Sequence, residues 1–407
     1  MKHVLFNTAF FPTMYAKWRM TEIKAFIEYY KCDIGVLSVY KYYKDQYSWS
    51  YEECKLYYNL EEYNILIFQK QYNYLNKFNN NFDGTIFNLP NKYENLYPFC
   101  YMFVRKDRPI TINWYKYIAP NTLVYDFKNY DLIYHIFLGN FEFFDNLNKF
   151  PYEKQAIRLY PGGGINFNQK RLNLDNKIKL ITTNIRVTEL VKNSNLSNFK
   201  QILYGPMIDK NEIIRKKNLK KTDKLNILFS TSGGYGKNVY ERKGYFRYIN
   251  LIKYYKSTCK YNHFNFYCVG DIYPDFRIDS LDIIYTGLLS QKEFNELLIN
   301  TIDITINLHS GGTDGFPQGI EALMYGCVGI ISDPNNFNEK TGLNFINKDE
   351  IFIVPYNSNP SKLCDILEDL DKDREKLLKI SNKSQKKLIN ELSYEKQFKG
   401  LFKFLDK

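Results

Sequence analysis

The 407-residue chain predicts an α/β protein built from two successive doubly wound units. Short apolar runs of strand character alternate with amphipathic stretches of helical period in both halves. A charged joint, DKNEIIRKKNLKKTDK (209–224), separates the halves. The length exceeds what one ordinary core fills, so two domains facing each other across a ligand-binding cleft are expected.

The first half opens with strand HVLFNTAFF, a loop carrying Pro12, and a helix around RMTEIKAFIEYYK. Strands DIGVLSVY and YNILIFQ follow, an alternation that predicts a parallel sheet. Residues 76–130 are Asn- and Tyr-rich and yield no element. Beyond them come LIYHIFL, the loop RLYPGGGIN, strand IKLITTN, helix RVTELVKN and strand KQILYGP. The second half restarts at KLNILFSTS. Helix FRYINLIKYYK, strands FNFYCVGD and DIIYTGLL, helix QKEFNELLIN, strand DITINLH, helix QGIEALMYG and strand VGIISD follow at the spacing of a doubly wound sheet. The segment from Pro360 to Leu405 is helical by apolar period.

Composition is that of a soluble globular protein, with 44% hydrophobic and 25% charged residues. The aromatic share of 17% accompanies abundant Asn, Lys and Ile, all AT-rich codons, so it reads as genomic bias. That discounts a single-strand nucleic-acid binder, which basic and aromatic residues together would otherwise suggest. The net charge of +12 favours an anionic partner: a nucleotide diphosphate, an anionic lipid surface or a nucleic acid. The cluster Arg215, Lys216, Lys217, Lys220, Lys221 and Lys224 reads as a solvated linker. Seven scattered cysteines with no CxxC or Cys/His spacing indicate neither a disulfide framework nor a zinc site, and suit a reducing cytoplasm. The opening residues read as a first strand rather than a signal peptide, and no apolar run is long enough to span a bilayer. His135 and His309 read as core and loop residues.

Two stretches carry chemistry. Strand DITINLH delivers its carboxyl end to SGGTDGFP, where open α/β sheets bind ligands. Gly311, Gly312 and Gly315 allow backbone amides to converge on an anion. Pro317 opens a helix whose positive end points at the same spot. Ile320, Leu323 and Met324 form its packing stripe, leaving Glu321 off the stripe and free to bind ligand hydroxyls, or simply a surface residue. SGGYGKNVYERKG (232–244) follows the first strand of the same unit, and Arg242 and Lys243 there suit a diphosphate clamp, Arg as a fork and Lys as a point charge. YPGGGIN (160–166) is a further glycine nest or a plain turn.

Together ILFSTS, ERKG, YTGLLSQKEFNELL, DITINLHSGGTDGFPQGIEALMYGCVGIISD and the tail ELSYEKQFKGLFKFL resemble the family-four type of glycosyltransferases, also called glycosyl transferases group 1. The resemblance covers residue 225 to the end well. ITTNIRVTELVKN and ILYGPMID also match, whereas the first 150 or so residues match only in layout, as the half that holds a variable acceptor. The resemblance implies a GT-B fold: a Rossmann-like domain at 1–207, a linker at 208–224, a nucleotide-sugar-binding Rossmann-like domain at 225–388, and a helix at 389–407 returning to the N-terminal domain. It implies a retaining enzyme that uses a UDP- or GDP-type sugar donor and a glycan, lipid-linked or protein-linked acceptor.

Residue by residue, the resemblance gives Glu321 the donor's ribose hydroxyls and Asp314 the transferred sugar. The spacing between them is one residue shorter than the family's, which sets Thr313 in the expected register. Gly315, Phe316, Pro317 and Gln318 fall where the family meets sugar and phosphate, beside Ser310, Gly311 and Gly312. Lys243 matches the diphosphate lysine. Asn238 stands where the family carries an arginine, so Arg242 or Lys237 substitutes, with Gly233 and Gly234 in the same glycine loop. Gly287 and Leu288 match the turn beside the nucleobase.

The catalytic group is thus Arg242, Lys243, Asp314 and Glu321. Cations and helix-terminal amides aimed at the leaving diphosphate supply the stabilisation a metal would otherwise give, and no DxD-type pair sits nearby. No metal and no cofactor are expected. The leaving phosphate can itself take the acceptor's proton. Two other readings are a nucleotide-sugar epimerase on the same fold and a non-enzymatic basic nucleic-acid binder. The first wants acidic and His residues lining the cleft from both halves; the second explains the charge but not two anion loops. A cytoplasmic enzyme is expected, its charge suiting peripheral contact with an anionic membrane.

Overall fold

The computed structural model describes residues 3–8, 17–38, 63–69, 86–88, 99–106, 131–136, 151–159, 176–182, 188, 191–193, 195–202, 224–231, 237–259, 262–309, 317–333 and 347–407. These form two sheets. The first contains β1 (His3–Thr8), β2 (Asp33–Ser38), β3 (Tyr63–Gln69), β4 (Ile86–Asn88), β5 (Phe99–Arg105), β6 (Leu132–Ile136), β7 (Gln155–Leu159), β8 (Lys179–Thr182) and β9 (Phe199–Gln201). Its order is β4-β3-β5-β2-β1-β6-β7-β8-β9. From β2 to β9 the neighbours run parallel, but β5 lies between β2 and β3 and runs antiparallel to both. The sheet is therefore mixed, not parallel throughout, because one strand of the Asn- and Tyr-rich stretch inserts in the reverse direction.

β7 is a second difference. Arg158 and Leu159 belong to this strand rather than to a loop. A charged residue hid the apolar pattern, and burial is compensated by pairing. Arg158 meets Glu22 from α1 (Lys17–Tyr30) in an ion pair, and the Tyr134 hydroxyl donates to the same carboxylate at 2.5 Å. Each of the three is nearly or fully buried. His135, beside them in β6, is also buried, and desolvation pulls its pKa to about 3.

The second sheet is parallel throughout and ordered β12-β11-β10-β13-β14-β15. Its strands are β10 (Leu225–Ser230), β11 (Phe264–Val269), β12 (Ile284–Gly287), β13 (Ile304–Asn307), β14 (Val328–Asp333) and β15 (Phe352–Pro355). This is the 3-2-1-4-5-6 order of a doubly wound sheet, in which the order of strand addition reverses between β10 and β13. The carboxyl ends of those two strands mark the switch point.

Helices α2 (Lys237–Lys243), α3 (Tyr245–Thr258), α4 (Gln291–Asn300), α5 (Pro317–Met324), α6 (Pro360–Lys372), α7 (Arg374–Leu392) and α8 (Tyr394–Leu405) pack around it. One face is aromatic. Phe229 stacks on Tyr248 at 5.0 Å between ring centroids, and the Tyr248 hydroxyl donates to the carbonyls of Ile227 and Tyr267. Buried tyrosines keep their hydroxyls bonded, so the aromatic-rich composition costs no orphaned polar groups there. The terminal helical segment divides into α6, α7 and α8 at Asp373 and Ser393, each of which stands at the N-cap of the helix that follows it.

Helix α8 leaves the second sheet's surroundings and packs on α1. Phe402 stacks on Tyr29 at 4.0 Å and meets Phe26 edge-on at 5.0 Å, while Asp406 accepts from both Tyr29 and Tyr30 hydroxyls. Lys179 Nζ donates to the Leu405 carbonyl at 2.8 Å. Among the described residues no helix is long and apolar enough to cross a membrane.

Candidate active site

Apolar residues carry β10 and β13 through the core, and polar residues sit at their carboxyl ends. Thr231 follows β10, Asn307 closes β13, and His309 lies two residues beyond. Thr231 donates its backbone amide to the Val269 carbonyl at 2.8 Å, and Gly270 in turn donates to Gly287 at 2.9 Å. The approach of Gly270 to Thr231 leaves no room for a side chain: a Cβ there would stand 2.2 Å from the Thr231 hydroxyl oxygen, at a backbone φ of +123°. The ends of β10, β11 and β12 are thereby drawn into one rim.

On the other side of the switch point, α2 ends with Arg242 and Lys243, and Gly244 turns the chain into α3 with φ +86°. A Cβ on Gly244 would fall 2.4 Å from the Leu308 carbonyl oxygen. This contact fixes the Arg242–Lys243 pair beside Leu308 and His309, the residues that precede the Gly-rich stretch in sequence. Ser332 Oγ donates to the His309 carbonyl at 2.9 Å, tying the same backbone to β14.

The electrostatics follow from that proximity. Lys243 is pulled down to about 8, chiefly by burial and then by Arg242. His309 is pulled to about 4, first by burial, then by Lys243 and Arg242, so it stays neutral at physiological pH. Among the described residues no carboxylate pairs with Arg242 or Lys243. Two cations and a neutral imidazole at a switch point make a place for an anion.

Helix α5 begins at Pro317 and packs Ile320, Leu323 and Met324 on the sheet. Its far end is held by α7: Gln385 Nε2 donates to the Met324 carbonyl and Ser381 Oγ to the Gly326 carbonyl, both at 2.8 Å. These bonds satisfy carbonyls at the helix's negative end and fix where its positive end points. Glu321 lies in the second turn and is only 9% exposed, so it is no surface residue. Leu228 pairs with Thr305 across β10 and β13, which puts Asn307 on the same sheet face as Leu228, the face that Ala322 of α5 covers.

The structure brings Arg242, Lys243, Gly244, Leu308 and His309 together, with α5 and Glu321 following on the same chain segment. Gly287 and Leu288 sit at the neighbouring rim; Gly287 has φ +70° and open space where a side chain would be, and Leu288 is exposed. Lys237 opens α2, and Pro317 and Gln318 open α5. Gly233, Gly234, Ser310, Gly311, Gly312, Thr313, Asp314, Gly315 and Phe316 lie outside the described residues, as does YPGGGIN. One expectation changes: Arg242 and Lys243 stand in the last turn of α2, not in a loop.

Sequence reasoning missed three polar groups here. His309 reads from the sequence as a plain loop residue, yet it stands beside both cations. The Thr231 hydroxyl oxygen and Asn307 amide nitrogen are buried with no hydrogen-bond partner among the described residues. The signal was available: each is a polar residue ending or following an apolar strand.

By sequence the chain matches no protein-family model and no curated protein. Solved structures match its fold. HepE of Anabaena in complex with UDP aligns over 100% of both chains at 13% identity, with a TM-score of 0.61. A glycosyltransferase of Rickettsia africae aligns over 100% of this chain and 98% of its own at 16% identity and a TM-score of 0.57. A mutant of S. aureus TarM, in complex with fondaparinux, alpha-GlcNAc-glycerol and UDP, aligns over 68% of this chain at 12% identity and a TM-score of 0.50; the match spans 55% of TarM. The fold is GT-B, two Rossmann-like α/β units.

Proposed function

We propose that this chain is a metal-independent, retaining glycosyltransferase that moves a sugar from a nucleotide diphosphate to a glycan, lipid-linked or protein-linked acceptor. The observation that carries the reading is the Gly244–Leu308 contact, which sets Arg242 and Lys243 beside His309 at the switch point of the second sheet. That HepE and the TarM mutant were crystallised with UDP supports a nucleotide donor of UDP or GDP type. The division at residues 207 and 225, with the last helix returning to the first domain, belongs to the same proposal.

In this reading the diphosphate lies over Arg242 and Lys243, with Lys237 at the start of α2 as a further cation. The amides at the start of α5 are assigned to the same phosphates, and so, by the glycine pattern of the sequence, is the Gly311–Gly315 stretch. Glu321 accepts hydrogen bonds from the ribose hydroxyls, and the base rests at Gly287 and Leu288. Asp314, or Thr313 in its register, contacts the sugar. As the bond from the anomeric carbon to the diphosphate oxygen breaks, negative charge grows on that oxygen, where the fixed cations stabilise it. The acceptor oxygen forms the new bond on the same face and gives its proton to the departing phosphate. The enzyme acts in the cytoplasm, and its net charge of +12 suits contact with an anionic membrane that carries a lipid acceptor.

The test is turnover of a panel of UDP- and GDP-sugars with chelator present, reading free nucleotide diphosphate and the anomeric configuration of the product. Release with retention supports the proposal. Nucleotide released alongside an epimerised free sugar indicates the epimerase instead. No turnover and no binding of any donor overturns both.

A further inference from the structure

At the opposite end of the second sheet from the switch point, two thiols and a carboxylate converge. Cys259 caps the carboxyl end of α3, just before β11, and its amide donates to the Tyr255 carbonyl at 2.8 Å. Cys364 and Glu368 lie one turn apart on α6, hence on one face of that helix. Cys259 Sγ donates to Glu368 Oε1 at 3.2 Å, and Cys364 Sγ approaches the same oxygen at 3.9 Å. One ligand atom from each residue lies within 4.8 Å of the others.

We propose that these three side chains form a soft-metal site, taking zinc or a zinc-like ion on two thiolates and one carboxylate, with water as the fourth ligand. A tetrahedral zinc ion with Zn–S near 2.3 Å and Zn–O near 2.1 Å sets its ligand atoms roughly 3.6 Å apart. The two sulfur-to-oxygen distances bracket that spacing to within a few tenths of an ångström, and the two sulfurs lie within 4.8 Å of each other. The other carboxylate oxygen already has a partner: Lys372 Nζ donates to Oε2 at 3.4 Å, leaving Oε1 to the metal. Paired thiolate sulfur selects such ions over magnesium or calcium.

Burial and the neighbouring carboxylate raise the Cys259 thiol, and burial pushes Cys364 up to about 12. The carboxyl of Glu368 is held below its usual value, first by the hydrogen bond from Cys259. Thiolate rather than thiol sulfur ligates the metal, so binding displaces the thiol protons and strengthens as pH rises. The ion would tie α3 to α6 at the foot of the lobe, away from the chemistry. Its role is structural.

The test uses the 407-residue chain, reduced, titrated with cadmium and followed by thiolate-to-metal charge-transfer absorbance. A parallel zinc titration is followed by thermal unfolding. One equivalent should bind, with two protons released. Cys259→Ser and Cys364→Ser should each weaken binding by more than the roughly 100-fold that outer-shell changes produce. Zinc should raise the unfolding midpoint of the parent chain but not of these variants. Glu368→Gln, which keeps both thiols and the helix, should lower affinity and remains informative if a Ser variant fails to fold. An absorbance change equal in parent and Glu368→Gln and unaltered by either Ser variant would assign the metal to other cysteines and overturn the site. So would no change at one equivalent.

Discussion

Gly244 and Leu308 touch at a distance that excludes any other residue at position 244, since a Cβ would stand 2.4 Å from the Leu308 carbonyl oxygen and 2.6 Å from its Cβ. The contact joins the turn after Lys243 to the residue before His309. It is the physical link between two segments far apart in the sequence, and it sets the positions of both cations.

Gly244→Ala should therefore act on stability and on binding together. The left-handed backbone costs an alanine about 1–2 kcal/mol. Forcing its methyl against the Leu308 backbone adds about 1–3 kcal/mol. A lowered denaturant midpoint with weakened UDP or GDP affinity is expected. Parent-like values for both would show that the turn can move away from β13 freely.

Lys243 gives a pH signature. Its folded-state pKa of about 8 lies below its ordinary 10.5, so between those values the unfolded chain holds more protons and stability rises with pH through that window. Nucleotide affinity should do the opposite, falling about tenfold per pH unit above 8 as the charge is lost. Below that, affinity for a UDP- or GDP-sugar, whose esterified diphosphate has no group titrating in this range, should stay level to about pH 5, because His309 remains neutral until about 4. Lys243→Met removes a half-buried charge that has no acidic partner among the described residues. It should raise the unfolding midpoint by roughly one degree, on the order of 1 kcal/mol, while donor binding is lost. Calorimetry and nucleotide titration across pH 5–10 check both signs.

Much of the second lobe was legible because its strands are continuous apolar runs between Gly-rich turns, as a parallel sheet buried on both faces requires. What failed had local reasons. β15 is four residues long and offers no period. Arg158 made β7 look like a loop, since nothing local announces Glu22 as its partner. Helix α2 spans seven residues flanked by glycines, too short for a helical pattern to emerge, so its cations read as a loop. Glu321 reads as lying near the helix start, and it does, yet its burial comes from neighbours that the helix alone does not name. The Cys259–Glu368 contact joins residues 109 positions apart, which no spacing rule reaches.

Glu321 tests the ribose assignment. Two charge-assisted hydrogen bonds at about 1.5–3 kcal/mol each predict that Glu321→Ala weakens UDP or GDP binding by more than about 100-fold. The far-ultraviolet circular dichroism should stay unchanged, because α5 keeps its Ile320, Leu323 and Met324 contacts. Glu321→Gln keeps the volume and should lose less. Affinity equal to the parent's in both variants removes the ribose role while leaving the diphosphate cradle standing.

Phe402 tests how the last helix couples to the first sheet's surroundings. It is 3% exposed and meets Phe26, Tyr29 and Tyr30, three aromatic neighbours from one helix. Truncating a buried phenylalanine to alanine costs about 3–5 kcal/mol. Most of that should fall on the attachment of α8, because Phe402 packs across to α1 rather than into the second sheet. Phe402→Ala should thus split thermal unfolding into two steps and lower turnover, while nucleotide binding at the second sheet stays near the parent's. Asp406→Asn, which keeps the ring contacts and weakens only the acceptance from Tyr29 and Tyr30, should produce a smaller shift of the same kind. A single transition at the parent's midpoint in Phe402→Ala would mean that α8 contributes nothing to holding the two α/β units together.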